Sequence, residues 1–137
     1  MALFYADSSA LVKLVREEPE SDALRAFVGD GDILSCELVL AEVPRAIRGA
    51  EARDPRLPLD VLTARAGDLL DALALLPLDR GLLEAAGALD EPALRALDAI
   101  HVAAAVDVSP INAFVTYDER QAAAARLAGL RTVKPGG

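Results

Sequence analysis

Short apolar runs alternate along the chain with stretches of helical periodicity. Residues 2–6 (ALFYA) make an apolar run of the length expected for a strand buried on both faces. It ends at Asp7, Ser8 and Ser9, which favour helix entry, and Leu11, Leu14 and Val15 follow at helical spacing within residues 10–18. Pro19 stops that helix and starts another with Leu24, Phe27 and Val28 inward, until residues 29–31 (GDG) break it. Ile33 and Leu34 predict a second strand, and Ser35 can cap a third helix over residues 36–52 whose Leu38, Val39 and Ile47 form one face. Pro44 is expected to kink that helix, because it removes an internal hydrogen bond at a cost of about 3 kcal/mol.

Residues 51–58, charged and carrying two prolines, read as a loop. A long helix then runs from about Leu59 into the low seventies, followed by a third strand near residues 73–78. Asp79 caps a short helix ending near Gly87; a central helix spans residues 93–106, and Ser109-Pro110 closes its exit. A fourth strand covers residues 113–116, Asp118 opens a helix to Gly129, and residues 130–133 form a last strand. Strands separated by helices predict a parallel sheet with helices on both faces.

The 137 residues fit one domain, and 53% hydrophobic content is ample for its core. The net charge of −8 argues against a passive nucleic-acid coat, which needs a basic surface to displace counterions; an acidic site charged with divalent cations escapes that objection. Cys36 is the single cysteine, so there is no disulfide framework, which suits a cytoplasmic location. No apolar run reaches the length of a membrane span.

Candidate chemistry starts in the central helix. Asp98 is expected mid-helix, with Leu94 and Val102 on the same face, so its carboxylate points among apolar neighbours and must be protonated, paired or holding a metal. Arg95 and His101 offer the alternative of a salt-bridged stripe. Ligands of open parallel sheets gather at the carboxyl ends of strands, where Asp7 and Asp118 both lie; Glu42 sits on the helix after the second strand. Four acids from separate elements could thus converge, and an oxygen-only cluster suits magnesium or manganese. Each also has a plain structural role open to it. Asp7 could cap the first helix, Glu42 could pair with Arg45, Asp118 with Gln121 matches a capping box, and Thr116 could be an ordinary β-branched strand residue.

The blocks YADSSALVKLVREE, LVLAEVPRAIR, LRALDAIHVAAA and FVTYDERQAAAARLAGL, taken together in this order, resemble a PIN-domain ribonuclease of the VapC toxin type over essentially the whole chain. The resemblance implies a single domain over residues 1–137 with a three-layer α/β/α sandwich around a central parallel sheet. It further implies a Mg²⁺- or Mn²⁺-dependent endoribonuclease, a small VapB-like antitoxin that inhibits it, and a homodimer. Carried onto the matching positions, the catalytic and metal-binding acids are Asp7, Glu42, Asp98 and Asp118, and Ser9 and Thr116 are the assisting hydroxyls. Pro44 departs from the usual run of its helix.

Such a site would use a divalent ion to activate water and polarise a phosphate oxygen, with Glu42 holding a second ion or orienting water. Arg45 and Arg48, after Glu42, and Lys13 and Arg16, after Asp7, could grip RNA phosphates, or be solvated helix faces. A receiver domain would need an acidic pair where this chain has Asp7-Ser8, and a haloacid-dehalogenase-type phosphatase a second aspartate where Ser9 stands. A PIN-like domain that only binds a partner is the non-enzymatic alternative, against which the four intact acids argue.

Overall fold

The computed structural model describes residues 1–137. In chain order the elements are β1 (Leu3–Ala6), α1 (Ser8–Val15), α2 (Ser21–Val28), β2 (Asp32–Cys36), α3 (Val39–Arg53), α4 (Leu59–Ala72), β3 (Ala74–Leu76), α5 (Arg80–Gly87), α6 (Ala96–Asp107), β4 (Ala113–Val115), α7 (Glu119–Leu127) and β5 (Thr132–Val133). All strand pairings are parallel, in the order β3-β2-β1-β4-β5, so β1 is central and its end faces the middle of the sheet edge. The expected α/β/α sandwich is the architecture found.

Successive strand residues point to opposite faces, and this divides the core in two. Phe4, Ala6, Ala113 and Val115 pack with α1 to α4 through Leu11, Leu24, Val43 and Leu62. Tyr5, Leu34, Cys36 and Phe114 pack with α5 to α7 through Leu82, Val102 and Ala125. Tyr5 stacks on Phe114, ring centroids 5.2 Å apart, and both are fully buried. The face carrying Tyr5 is therefore the one that α6 covers.

Three features that bear on the site differ from expectation, each for a physical reason. β2 runs on through Ser35 and Cys36, which pair with Leu75 and Leu76 of β3, so Ser35 is a buried strand residue rather than a cap and α3 starts only at Val39. Pro44 lies inside α3, and helix continues on both sides of it. The carbonyl deprived of its partner belongs to Leu40, a half-exposed residue, so water can take the place of the lost amide. Residues 92–94, just after Glu91, form a turn instead of helix, and α6 begins at Ala96 after the extended Arg95. Asp98 consequently stands in the first turn of α6, not mid-helix, and Leu94 is not on its helical face. No helix is long and apolar enough to cross a membrane.

Candidate active site

Strand register creates the inner part of the site. Ala6 of β1 pairs with Val115 of β4, so the next residues, Asp7 and Thr116, emerge side by side from the sheet edge. Asp7 is the N-cap of α1, its Oδ1 accepting from the Ala10 amide at 3.1 Å, and it is also almost wholly buried. The Ser9 hydroxyl donates to the same oxygen at 2.6 Å, and the Thr116 hydroxyl donates to Oδ2 at 2.5 Å. Both hydroxyls are held in turn, Ser9 Oγ accepting from the Tyr117 amide and Thr116 Oγ1 from the Asp118 amide. Burial raises the Asp7 pKa above the usual carboxylate value; the Ser9 and Thr116 donors oppose the shift without cancelling it. Capping and a strained ionisable position are thus combined in one residue.

The outer part is an open cleft of about 590 Å³ lined by Glu42, Arg95, Ala96, Leu97, Asp98, Asp118, Glu119 and Arg120. The Asp98 pKa is raised by partial burial first and then by the negative charge of Asp118, with Glu42 adding to it; His101 and Arg120 act the other way. Its place in the first turn of α6 also exposes the carboxylate to the favourable end of the helix dipole. Asp118 caps α7 by accepting from the Gln121 amide at 2.9 Å. The capping box is only half present, because the Asp118 amide goes to Thr116 and the buried Gln121 side chain has no hydrogen-bond partner. As they stand, no three His, Cys, Asp or Glu side chains are drawn close enough to hold a metal ion between them. The cleft acids act on one another electrostatically rather than by contact.

Glu42 pairs with neither Arg45 nor any other arginine. Its Oε1 lies 2.6 Å from Nε2 of His101, which is buried on α6 one turn beyond Asp98, and Nδ1 of His101 lies 2.8 Å from the Tyr5 hydroxyl. Sγ of Cys36 is a weaker neighbour of Nδ1 at 3.8 Å. Burial disfavours a charged imidazole, but the contacts with Cys36 and Glu42 outweigh it and raise the His101 pKa to about 10. The close carboxylate of Glu42 is the partner that accounts for this, the sulfur being too distant for a strong bond. Burial also pushes the Tyr5 phenol well above its ordinary value, so it remains neutral.

The structure therefore brings Glu42, Asp98 and Asp118 to one cleft, and Thr116 joins Asp118 to the buried Asp7. The cations expected to grip a substrate fare differently. Lys13 is engaged by Glu20 at 3.0 Å and Glu18 at 3.6 Å, and its ammonium lies over the Tyr117 ring. Arg16 closes the far end of α1 and acts on Asp54 at the end of α3, about 18 Å along that helix from Glu42. Arg45 and Arg48 are exposed on α3 outside the cleft lining. Arg95 and Arg120 do line it, and neither makes an ion pair. Arg120, two residues beyond Asp118, could have been found from that spacing alone.

With this geometry in view, comparisons with known proteins are specific. A family profile described as the PIN domain matches residues 4–127. Ribonuclease VapC35 of Mycobacterium tuberculosis is 38% identical, with 98% of each chain covered. Ribonuclease VapC46 of the same species is 40% identical, covering 98% of this chain and 99% of that one. Among solved structures, M. tuberculosis VapC20, described as a sarcin-ricin loop cleaving toxin, superposes with a TM-score of 0.69 over 96% of this chain and 99% of its own, at 18% identity.

Proposed function

Because the chain belongs to the PIN-domain family, and within it to the VapC ribonucleases, we propose that its acidic cleft hydrolyses RNA phosphodiester bonds as the toxin of a toxin–antitoxin pair. What carries the reading is the gathering of Glu42, Asp98 and Asp118 along one cleft, with Asp98 held above its ordinary pKa by burial and by Asp118. Like charges so gathered call for a cation, and the donors are all carboxylate oxygens, which suit Mg²⁺, or Mn²⁺ in its place, rather than zinc. Asp7, Asp98, Asp118 and Glu42 would hold it. Once bound, such an ion supplies charge neutralisation at phosphate oxygens and acidifies the water around it.

The chain's own groups do the rest. Ser9 and Thr116 fix both oxygens of Asp7 and so set the direction of its lone pairs. Arg95 and Arg120, free of carboxylate partners, would clamp the phosphates flanking the scissile bond, with Arg45 and Arg48 farther out along α3; Lys13 and Arg16 are left to structural roles. A VapB-like antitoxin would inhibit the enzyme, which would act as a homodimer in the cytoplasm.

The test is cleavage of RNA by the purified chain. Activity is expected with Mg²⁺ or Mn²⁺, none in EDTA, and Asp98→Asn should lose on the order of 100-fold or more. Cleavage that is indifferent to chelation, or undiminished in the variant, would overturn the reading.

A further inference from the structure

Glu42 is the only cleft acid anchored by a side chain from the opposite wall of the fold. Its helix, α3, packs on one face of the sheet, whereas His101 belongs to α6 on the other. The two meet beyond the sheet edge at 2.6 Å, through Oε1 of Glu42 and Nε2 of His101. A carboxylate can only accept, so Nε2 carries the hydrogen and Nδ1 is the nitrogen facing Tyr5. The Tyr5 hydroxyl, at 2.8 Å from Nδ1, holds the ring from below, and the Tyr5 ring is itself clamped against Phe114 inside the sheet core. The fully buried Tyr5 has no freedom to follow a moving imidazole. A continuous line of fixed groups therefore runs from the interior of the sheet to one oxygen of Glu42. The other oxygen belongs to a residue that lines the acidic cleft.

We propose that His101, locked by Tyr5, is the positioning residue of the site: it holds Oε1 of Glu42 and thereby presents Oε2 to the cleft, where a divalent cation would be bound. This rests on the nuclease reading and adds to it a role for two residues outside the acid set. An unanchored glutamate with three rotatable bonds would have to lose that freedom each time it took up the cation. With His101 in place the loss occurs on folding. Neither residue reaches the reacting atoms, so their effect should appear in cation affinity and kcat, and not in the KM for RNA.

The experiment titrates Mn²⁺ into the full-length chain without RNA, counting free Mn²⁺ by electron paramagnetic resonance, and then measures cleavage kinetics. His101→Leu should weaken Mn²⁺ binding by about 10- to 100-fold. His101→Gln, which keeps an N–H that can reach Glu42, should recover most of the loss. Tyr5→Phe, which keeps the packed ring but frees the imidazole, should fall between wild type and His101→Leu. In each variant KM for RNA should stay within about twofold of wild type while kcat falls with the cation affinity. Should His101→Leu fail to fold, the comparison of Tyr5→Phe and His101→Gln with wild type decides the matter. Wild-type Mn²⁺ affinity in Tyr5→Phe, or no advantage of His101→Gln over His101→Leu, would overturn the proposal while leaving the nuclease reading intact. A wild-type chain that bound no Mn²⁺ and cut no RNA would remove the reading itself.

Discussion

Asp7 caps a helix, accepts two hydroxyls and is nearly sealed from water, and these facts fix its titration. Its pKa in the folded chain lies above the usual carboxylate value, because burial outweighs the donors. Folding therefore favours the protonated carboxyl. That contribution is complete below the unfolded value and is lost as pH rises through the folded one, so at pH 7 the cation-free chain bears a cost at this position. Asp7→Asn keeps the oxygen that caps Ala10 and removes the charge, and Thr116, whose hydroxyl can turn, can accept from the new amide. Without divalent ions at pH 7 the variant should melt several degrees above wild type, the gap closing as pH falls toward 4, as calorimetry would show. Cleavage should be lost in the same protein. Asp7 was legible from sequence because strand end and helix start are local signals. The Glu42–His101 pair was not, since it spans 59 positions and no local rule joins a histidine on one helix to a glutamate on another.

At the level of elements, the helices that carry Glu42 and Asp98 both begin later than periodicity suggests. Strand pairing extends β2 through Cys36 and delays α3, while the turn after Glu91 delays α6. Apolar spacing registers neither event: a buried strand and the first turn of a buried helix look alike in hydrophobicity, and boundaries are decided by hydrogen bonds made elsewhere. The order of strands and helices was legible because most runs are bounded by Gly, Pro or a capping residue such as Asp79, which accepts from the Leu82 amide as expected; the β2–α3 and α4–β3 junctions carry no such mark. Pro44 offers a test of how α3 tolerates its interruption. Only the half-exposed Leu40 loses a backbone partner, so Pro44→Ala should restore one helical hydrogen bond and raise stability by up to about 3 kcal/mol in denaturant titration. An unchanged midpoint would mean that α3 already accommodates the ring without cost.

For the molecule as a whole, a net charge of −8 sets the terms on which it can meet a polyanion. Long-range attraction is absent, and any phosphate contact has to be local, within the reach of guanidinium groups that no carboxylate already occupies. Two of the four cations expected from sequence are occupied or turned away, Lys13 by Glu18 and Glu20 and Arg16 by its place near the end of α3. Arg95 and Arg120 border the acids directly. If these two carry most of the phosphate contact, affinity for single-stranded RNA should depend only weakly on salt, with a slope of log K against log salt near −1.4 for two contacts. Anisotropy titrations with Ca²⁺ in place of Mg²⁺, to hold back cleavage, would measure it. The double variant Arg95→Ala, Arg120→Ala should flatten the slope toward zero and weaken binding with only a small drop in melting temperature, because neither guanidinium is part of an ion pair and Arg120 merely eases the charge at Asp98. A steep slope that survives in the double variant would instead assign the backbone contacts to Arg45, Arg48 and the surface beyond α3.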